Sequence, residues 1–211
     1  MTPDPLAALR APAPDRPVLI FLAGSNGAGK TTFFEEYLAD LGLPYVNADW
    51  LAHAILASRP AGGGVESLDR RAFEEAERLR ASFLEARLSF CTETVFSDPA
   101  GAKLAFLDRA RAEGFSVRLI FIGLASVALS IARVQHRVDR GGHDIPDATL
   151  RARFPRTLHN LRLGVPRVDG AFLFDNSDYD RPYRLVLRYV EGGAVERHPP
   201  LPAWTAGLPG V

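Results

Sequence analysis

The chain alternates between short continuous apolar runs and longer segments in which apolar residues recur every three or four positions. Continuous runs at 18–23, 117–122 and 171–174 predict strands that are buried on both faces of a sheet. Shorter apolar stretches at 44–47 and 89–93 predict two more strands. Because strands and helices alternate, we expect right-handed crossovers and an α/β fold: a mainly parallel sheet with helices on both faces.

The segments between these runs have the spacing of amphipathic helices. Ser97 and Pro99 predict the start of the fourth helix, because a capping side chain there precedes a first-turn proline. The glycine-rich stretch 59–64 predicts a mobile loop, and the alternating segment 184–190 predicts an edge strand. The predicted helices cover 30–41, 50–57, 67–88, 97–113, 126–138 and 148–163.

The length of 211 residues suits one domain. Residues 1–16 are rich in proline and alanine and predict a disordered lead-in, so the domain is expected to cover 17–195. The stretch 196–211 is a proline-rich tail, in which Trp204 and Leu208 are expected to dock on the surface of the domain.

Charge and cysteine content restrict the function classes. The 25 basic and 25 acidic residues balance, so nothing global favours a nucleic-acid or membrane partner. The single cysteine, Cys91, excludes an internal disulfide and favours a reducing compartment. No stretch reaches the roughly 18 apolar residues of a membrane span, and the protein is expected to be cytoplasmic. Lys30 and Lys103 are the only lysines, so arginine supplies the other 23 basic residues.

The first predicted strand runs into the sequence GSNGAGKTT and then into a helix. This order is that of a P-loop, in which backbone N–H groups and a helix N-terminus hold phosphates. Lys30 is expected to reach the outer phosphates of ATP, and Thr31 to ligate Mg²⁺. The predicted nucleotide-binding residues are Gly24, Ser25, Asn26, Gly27, Ala28, Gly29, Lys30, Thr31 and Thr32.

A P-loop identifies a superfamily and leaves the reaction open. The chain has neither the Leu-Ser-Gly-Gly signature and Asp-Glu strand end of transporter ATPases nor the Asn-Lys-x-Asp motif of GTPases. A small-molecule kinase therefore remains the favoured class. Two alternatives stay open: a nucleotide-dependent regulatory ATPase without an acceptor, and a kinase for another metabolite or for an RNA end.

Two carboxylates follow predicted strands at the edge of the sheet where ligands bind. Asp49 is the candidate base that takes the proton of an acceptor hydroxyl, and the alternative is that it caps the next helix. Glu93 is a candidate to hold the acceptor or a water bound to Mg²⁺, with Thr94 beside it, and the alternative is a solvated strand end.

A segment at about 133–160 is predicted to form an arginine-rich helical lid. Between 133 and 167, eight arginines occur with three acidic residues, and a polar hinge at 141–146 separates two helices. Arginine forks clamp phosphate well, although a solvated basic face is the alternative. On the second helix, Asn160 is expected to share the polar face. The candidates are Arg137 and Arg153 for the transferring phosphate, and Arg140 and Arg156 for the substrate.

Seven motifs occur in order over about 18–177: GSNGAGKTTF, NAD at 47–49, ETVFS at 93–97, RLIFIGL at 118–124, RVQHRVDRGGHDIP at 133–146, RARFPRTLHNL at 151–161 and FDNS at 174–177. In this order they resemble the zeta toxin family of P-loop kinases. The resemblance implies ATP-dependent phosphorylation of a hydroxyl of UDP-N-acetylglucosamine, with Asp49 as base and Glu93 on the sugar. It also implies a small helical antitoxin as partner. The chain departs from the family's Glu-Gly-Thr-x-Arg at Val95 and Ser97.

Overall fold

The computed structural model of the chain describes residues 15–57, 66–142, 144–190 and 195–211. Nearly all of the predicted lead-in, residues 1–14, lies outside the described residues. The loop predicted at 59–64 and His143 of the predicted hinge also lie outside them.

Seven strands form one sheet in the order β2-β3-β1-β4-β5-β6-β7. The first five in the chain are parallel, whereas β6 and β7 pair antiparallel. The architecture confirms the predicted α/β class and is that of a P-loop NTPase. The strands are β1 (Val18–Gly24), β2 (Tyr45–Val46), β3 (Phe90–Thr94), β4 (Ser116–Gly123), β5 (Gly170–Asp175), β6 (Arg184–Tyr189) and β7 (Val195–Arg197).

Helices cover both faces of this sheet. The first, α1 (Lys30–Phe33), continues through a π-helical turn (Phe34–Leu38) and a 3₁₀ turn (Ala39–Leu41). No helix in the described ranges is long and apolar enough to cross a membrane. The other helices are α2 (Ala48–Ala57), α3 (Glu66–Glu85), α4 (Ala102–Ala112), α5 (Val127–Val138) and α6 (Asp147–Gly164), with 3₁₀ turns at Val165–Arg167 and Ala203–Thr205.

The core lies on both sides of the sheet, which explains why the central strands read as continuous apolar runs. Along β1, Leu19 and Phe21 face one cluster, which is closed by α3, α4 and α6. Ile20 and Leu22 face the second cluster, which is closed by α1. Since successive side chains point to opposite faces, every position of β1 has to be apolar.

The start of the fourth helix was predicted wrongly. α4 begins at Ala102, directly after Gly101 in the left-handed region (φ 75°), and not at the Ser97–Pro99 stretch. The Asp98 carboxylate accepts from the amide of Lys103 at 3.1 Å, so an acid before the helix still satisfies a first-turn N–H group.

The C-terminal end of the chain completes the sheet. The strand predicted at 184–190 is confirmed as β6, but its predicted place at the edge of the sheet is wrong, because β7 pairs outside it. Position 195, where the sequence predicts that the domain ends, is the first residue of β7. Trp204 and Leu208 are 5% and 3% exposed and join the main core cluster instead of docking on the surface. The Trp204 ring lies against Gly123, where a Cβ atom would come within 2.4 Å of it.

Candidate active site

The P-loop follows β1 and turns sharply into α1. Gly24 has a φ of 151°, and a Cβ atom there would lie 2.4 Å from the carbonyl oxygen of Ile122 on β4. Gly29 has a φ of 90°, and its Cβ atom would lie 2.7 Å from the Tyr183 hydroxyl. The close backbone of β4 requires glycine at position 24, and the left-handed φ favours it at position 29.

Side chains from distant parts of the chain brace the outside of this loop. Asn176 donates to the carbonyl of Ala28 at 2.9 Å, and Tyr183 donates to the carbonyl of Gly29 at 2.9 Å. Burial, followed by the charge of Glu36, raises the pKa of Tyr183 to about 12, so its hydroxyl remains a donor at neutral pH. The first-turn N–H groups of α1 have no acceptor within the helix and are available to an anion.

The side chains of Lys30, Thr31 and Glu93 converge at the end of the loop. Lys30 is 6% exposed, and its Nζ lies 3.1 Å from the Ser25 carbonyl and 3.7 Å from Glu93 Oε1. The Thr31 hydroxyl donates to Glu93 Oε2 at 3.0 Å. Glu93, predicted from its strand end alone, therefore directly contacts the two P-loop side chains that were expected to handle phosphate and metal.

Two further donors, one on β2 and one directly after it, fix the same carboxylate. Tyr45 donates its hydroxyl hydrogen to Glu93 Oε2, and the Asn47 amide donates to that oxygen at 3.0 Å. Burial, with the neighbouring Glu93 charge as the second cause, holds the pKa of Tyr45 well above its ordinary value. Tyr45 therefore remains protonated and acts as a donor. With these bonds Glu93 is held in one orientation.

The donor set at Thr31 and Glu93 fits Mg²⁺. A hydroxyl and a carboxylate 3.0 Å apart offer the hard oxygen ligands that this ion prefers. The described residues contain no group of three or more His, Cys, Asp or Glu side chains arranged to hold a metal. An ion here would thus depend on nucleotide phosphates as well as on the protein, which is the usual mode for Mg²⁺.

Asp49 lies in the first turn of α2, at the neighbouring strand end. The alternative interpretation, that Asp49 caps this helix, is wrong, because Asn47 does so. The Asn47 side-chain oxygen accepts from the amides of Asp49 at 2.8 Å and Trp50 at 3.3 Å. Asp49 is exposed, and its carboxylate has no hydrogen bond or ion pair with any described residue. It is free to meet a ligand.

Asn47 is a site residue that sequence reasoning did not choose. It joins the two carboxylates, since its amide nitrogen binds Glu93 while its oxygen holds the turn that leads to Asp49. The available signal was an asparagine at a strand end immediately before a predicted helix.

The segment after β3 is held by α6. The Thr157 hydroxyl donates to the Val95 carbonyl at 3.0 Å, and Arg156 Nε donates to the Ser97 carbonyl at 3.1 Å. Asn160 is 5% exposed and donates to the carbonyl of Phe96. Asn160 thus shares a face of α6 with Arg156, as predicted, and that face packs on the segment after β3. The Thr94 hydroxyl accepts from the amide of Phe96 at 3.3 Å, so it closes a local turn.

The predicted lid arginines have different surroundings. Arg137 and Arg140 are exposed at the end of α5 and just beyond it, where the Arg137 carbonyl accepts from the amides of Arg140 and Gly142. Arg153 is half-buried, and its guanidinium has no acceptor among the described residues. It lies one turn before Thr157, on the row of α6 that contacts the segment after β3.

Arg133 is the lid arginine that lies against the P-loop, and it was not among the chosen candidates. Its Cβ atom is 3.1 Å from the position that a Cβ atom of Gly27 would take. Its guanidinium lies 5.0 Å from the ring centroid of Tyr179, which is 77% exposed. The buried Nε of Arg133 and the buried Oδ1 of Asn26 both lack hydrogen-bond partners. Only the packing of α5 on the loop distinguishes Arg133 from its neighbours.

Comparison with known proteins places this arrangement in a family. Residues 19–154, more than half of the chain, match the family model AAA_33, described as an AAA domain. An uncharacterised protein of Haemophilus influenzae is 27% identical over 135 residues, which cover 64% of this chain and 91% of that protein.

Solved structures show the same fold. A chain of the AvrRxo1-ORF1:-ORF2 complex with ATP superposes with a TM-score of 0.70 at 18% identity, over 87% of this chain and 61% of that one. A chain of the PezAT toxin-antitoxin system of Streptococcus pneumoniae superposes with a TM-score of 0.61 at 16% identity, over 87% and 76%. The present chain thus spans about three fifths of the length of its AvrRxo1 counterpart. It belongs to the AAA domain family and has the α/β fold of a P-loop NTPase.

Proposed function

We propose that the protein is an ATP-dependent phosphotransferase that moves the γ-phosphoryl group of ATP to a hydroxyl of a small molecule. One observation carries this proposal. The Glu93 carboxylate lies within 3.7 Å of Lys30 Nζ and 3.0 Å of the Thr31 hydroxyl, while Asp49 is exposed just beyond the neighbouring strand and has no side-chain partner among the described residues. A donor site and a candidate base thus lie at the same edge of the sheet, on either side of the end of β3.

The donor half holds the nucleotide. The loop amides and the Lys30 ammonium group bind the β- and γ-phosphates, and Thr31 and Glu93 are the residues that would hold Mg²⁺. When bound, this ion neutralises charge on the phosphate oxygens. The nucleobase of ATP is proposed to contact Arg133 and Tyr179, because this guanidinium and this exposed ring already lie together beside the P-loop.

The acceptor half of the site supplies the general base. Asp49 takes the proton of the acceptor hydroxyl while the oxygen of that hydroxyl forms a bond to the γ-phosphorus. The bond from that phosphorus to the β–γ bridging oxygen breaks, and ADP leaves with the electron pair. Arg153 and Arg137 are proposed to stabilise the charge of the transferring group. Arg153 fits this role because its guanidinium, on the α6 row beside the segment after β3, has no described acceptor.

A sugar nucleotide such as UDP-N-acetylglucosamine is our first choice of acceptor. The motif resemblance supports it and implies that Glu93 contacts the sugar. Arg140 and Arg156, chosen from the arginine-rich lid, are proposed to bind its phosphates. Val95 and Ser97 replace a hydroxyl and a cation of the family pattern, and their carbonyls bind Thr157 and Arg156. Acceptor phosphates would therefore depend on the α6 arginines more than on the segment after β3.

The experiment is incubation of the purified protein with labelled Mg-ATP and a pool of metabolites that includes UDP-sugars. Mass spectrometry then searches for a product heavier by one phosphate, and we expect such a product from a UDP-sugar. A phosphorylated product from another metabolite would keep the kinase and replace the acceptor. ATP hydrolysis at one rate with and without every acceptor would instead favour the regulatory ATPase.

A small helical antitoxin is the proposed protein partner. The motif resemblance implies one, and both superposed structures come from two-component complexes. If the protein is a toxin, its induced expression arrests bacterial growth, and the variant Asp49→Asn restores growth at equal protein level. Unchanged growth with the active protein would remove the toxin assignment and leave the kinase proposal intact.

A further inference from the structure

A buried arginine contacts the end of the strand that carries Glu93. Arg80 of α3 is 4% exposed, and three of its nitrogens are engaged. Nε donates to the Thr92 hydroxyl at 2.7 Å, and Nη2 donates to the backbone carbonyl of Glu93 at 3.2 Å. Nη1 pairs with Glu77 at 2.6 Å, which balances the buried charge. The Arg80 guanidinium thus holds the C-terminal end of β3 through the Thr92 hydroxyl and the backbone of Glu93.

The same contacts extend to the strand that leads to Asp49. The Thr92 hydroxyl, which accepts from Arg80, donates its own hydrogen to the Val46 carbonyl at 3.2 Å. β2 has only two residues, and its register with β3 contains only the pairs Tyr45 with Cys91 and Val46 with Thr92. A ladder this short has little stability of its own, so β2 depends on this added bond as well as on the bonds that Tyr45 and Asn47 make to Glu93.

We infer that Arg80 is a positioning residue that sets the spacing between the strand ends carrying Glu93 and Asp49. It reaches Glu93 through the carbonyl of that residue, and it reaches the Asn47–Asp49 turn through Thr92 and Val46. Its consequence for phosphate transfer rests on the function proposed above. The arginine fork suits the task, since a lysine presents a single charged nitrogen that cannot span three separate acceptors.

The chain offers a matched control within the same cluster. Lys103 of α4 is 6% exposed, pairs with the same Glu77 carboxylate and covers the Phe73 ring at 5.2 Å. Among the described residues, its ammonium group makes no hydrogen bond to β2 or β3. Lys103→Met therefore removes a buried cation beside Glu77 and leaves the strand contacts in place.

The test is amide hydrogen exchange of the peptide covering residues 44–51, followed by mass spectrometry on the full chain. Arg80→Lys keeps the charge beside Glu77 and should accelerate exchange in this peptide by roughly tenfold or more, the worth of a charge-assisted hydrogen bond. Thr92→Val, which keeps the shape of the side chain but breaks the link to Val46, should do the same. Lys103→Met should leave the peptide at the wild-type rate. Equal acceleration in Arg80→Lys and Lys103→Met, or none in Arg80→Lys and Thr92→Val, would overturn the inference.

A second measurement separates this inference from the proposed function. With UDP-N-acetylglucosamine and Mg-ATP as probes, Arg80→Lys should lower kcat by roughly tenfold or more, with nucleotide affinity unchanged within about twofold, because a small misplacement of catalytic groups slows the chemical step. A wild-type protein that phosphorylates nothing refutes the proposed function, while the exchange result still decides the positioning role. A wild-type protein that transfers phosphate, with Arg80→Lys equal to it in kcat, refutes the catalytic consequence alone.

Discussion

Replacement of Asp49 by asparagine is the most direct test of the proposed chemistry. The substitution keeps the size and polarity of the side chain and removes its ability to accept a proton. Because Asp49 is exposed and has no described partner, its charge supports no contact that stabilises the fold. We therefore expect the free energy of unfolding to change by no more than about 0.5 kcal/mol. The helix cap, which Asn47 supplies, should also remain.

The expected kinetic effect is much larger. A positioned general base contributes roughly 10²–10⁴-fold, so phosphate transfer should fall by that factor while ATP affinity stays within about twofold. The assay measures initial rates of transfer to the acceptor found by mass spectrometry, beside nucleotide binding by calorimetry and urea unfolding. Asp40→Asn is the control, because Asp40 is also exposed but lies at the far end of the helical segment that follows the P-loop. Full activity in Asp49→Asn, or an equal loss in Asp40→Asn, would refute the assignment of the base.

Three further predictions concern the loop and the tail. Gly29→Ala should abolish nucleotide binding in a calorimetric titration, because its Cβ atom would lie 2.7 Å from the Tyr183 hydroxyl at a φ of 90°; normal binding would show that the brace yields. Tyr183→Phe removes one hydrogen bond to the loop and should lower the free energy of unfolding in urea by about 1 kcal/mol. It should also weaken ATP binding, whereas lower stability with unchanged ATP affinity would limit the hydroxyl to a role in folding. Trp204→Ala empties a buried site against Gly123 and should lower the free energy of unfolding by roughly 3–5 kcal/mol. This loss corresponds to a decrease in Tm of roughly 6–20 °C. A Tm within about 2 °C of wild type would contradict the packing of Trp204 on Gly123.

The central part of the fold could be predicted because burial on both faces leaves a strong mark in the sequence. The runs that became β1, β4 and β5 are apolar at nearly every position, since each residue meets one of two cores. β7 leaves no such mark. It is three residues long, two of them are charged and exposed, and only its pairing with β6 makes it a strand.

The burial of Trp204 also depends on a distant position. A tryptophan between prolines has no periodic pattern to report its environment. Its place is set by the absence of a side chain at Gly123, about 80 positions earlier in the chain. Such a match between two remote positions cannot be deduced from either segment alone.

The residues of the candidate site likewise include some that the sequence could predict and some that it could not. Glu93 and Asp49 could be chosen because ligands of parallel sheets bind at the carboxyl ends of strands. Arg133 could not be separated from the other lid arginines, because its difference lies in how α5 packs on Gly27. Arg80 is one polar residue on an amphipathic helix, and its burial becomes evident only when Thr92 and Glu93 are seen to face it.

The braces of the P-loop have a consequence for the order of events during synthesis of the chain. The loop forms near the N-terminus, but Asn176 and Tyr183, which hold its carbonyls, follow 148 and 154 residues after the groups that they bind. A growing chain that has released only the segment matching the family, up to residue 154, still lacks both braces. The P-loop therefore reaches its final form only after Tyr183 has left the ribosome, and ATP added before that point should not stabilise the nascent protein.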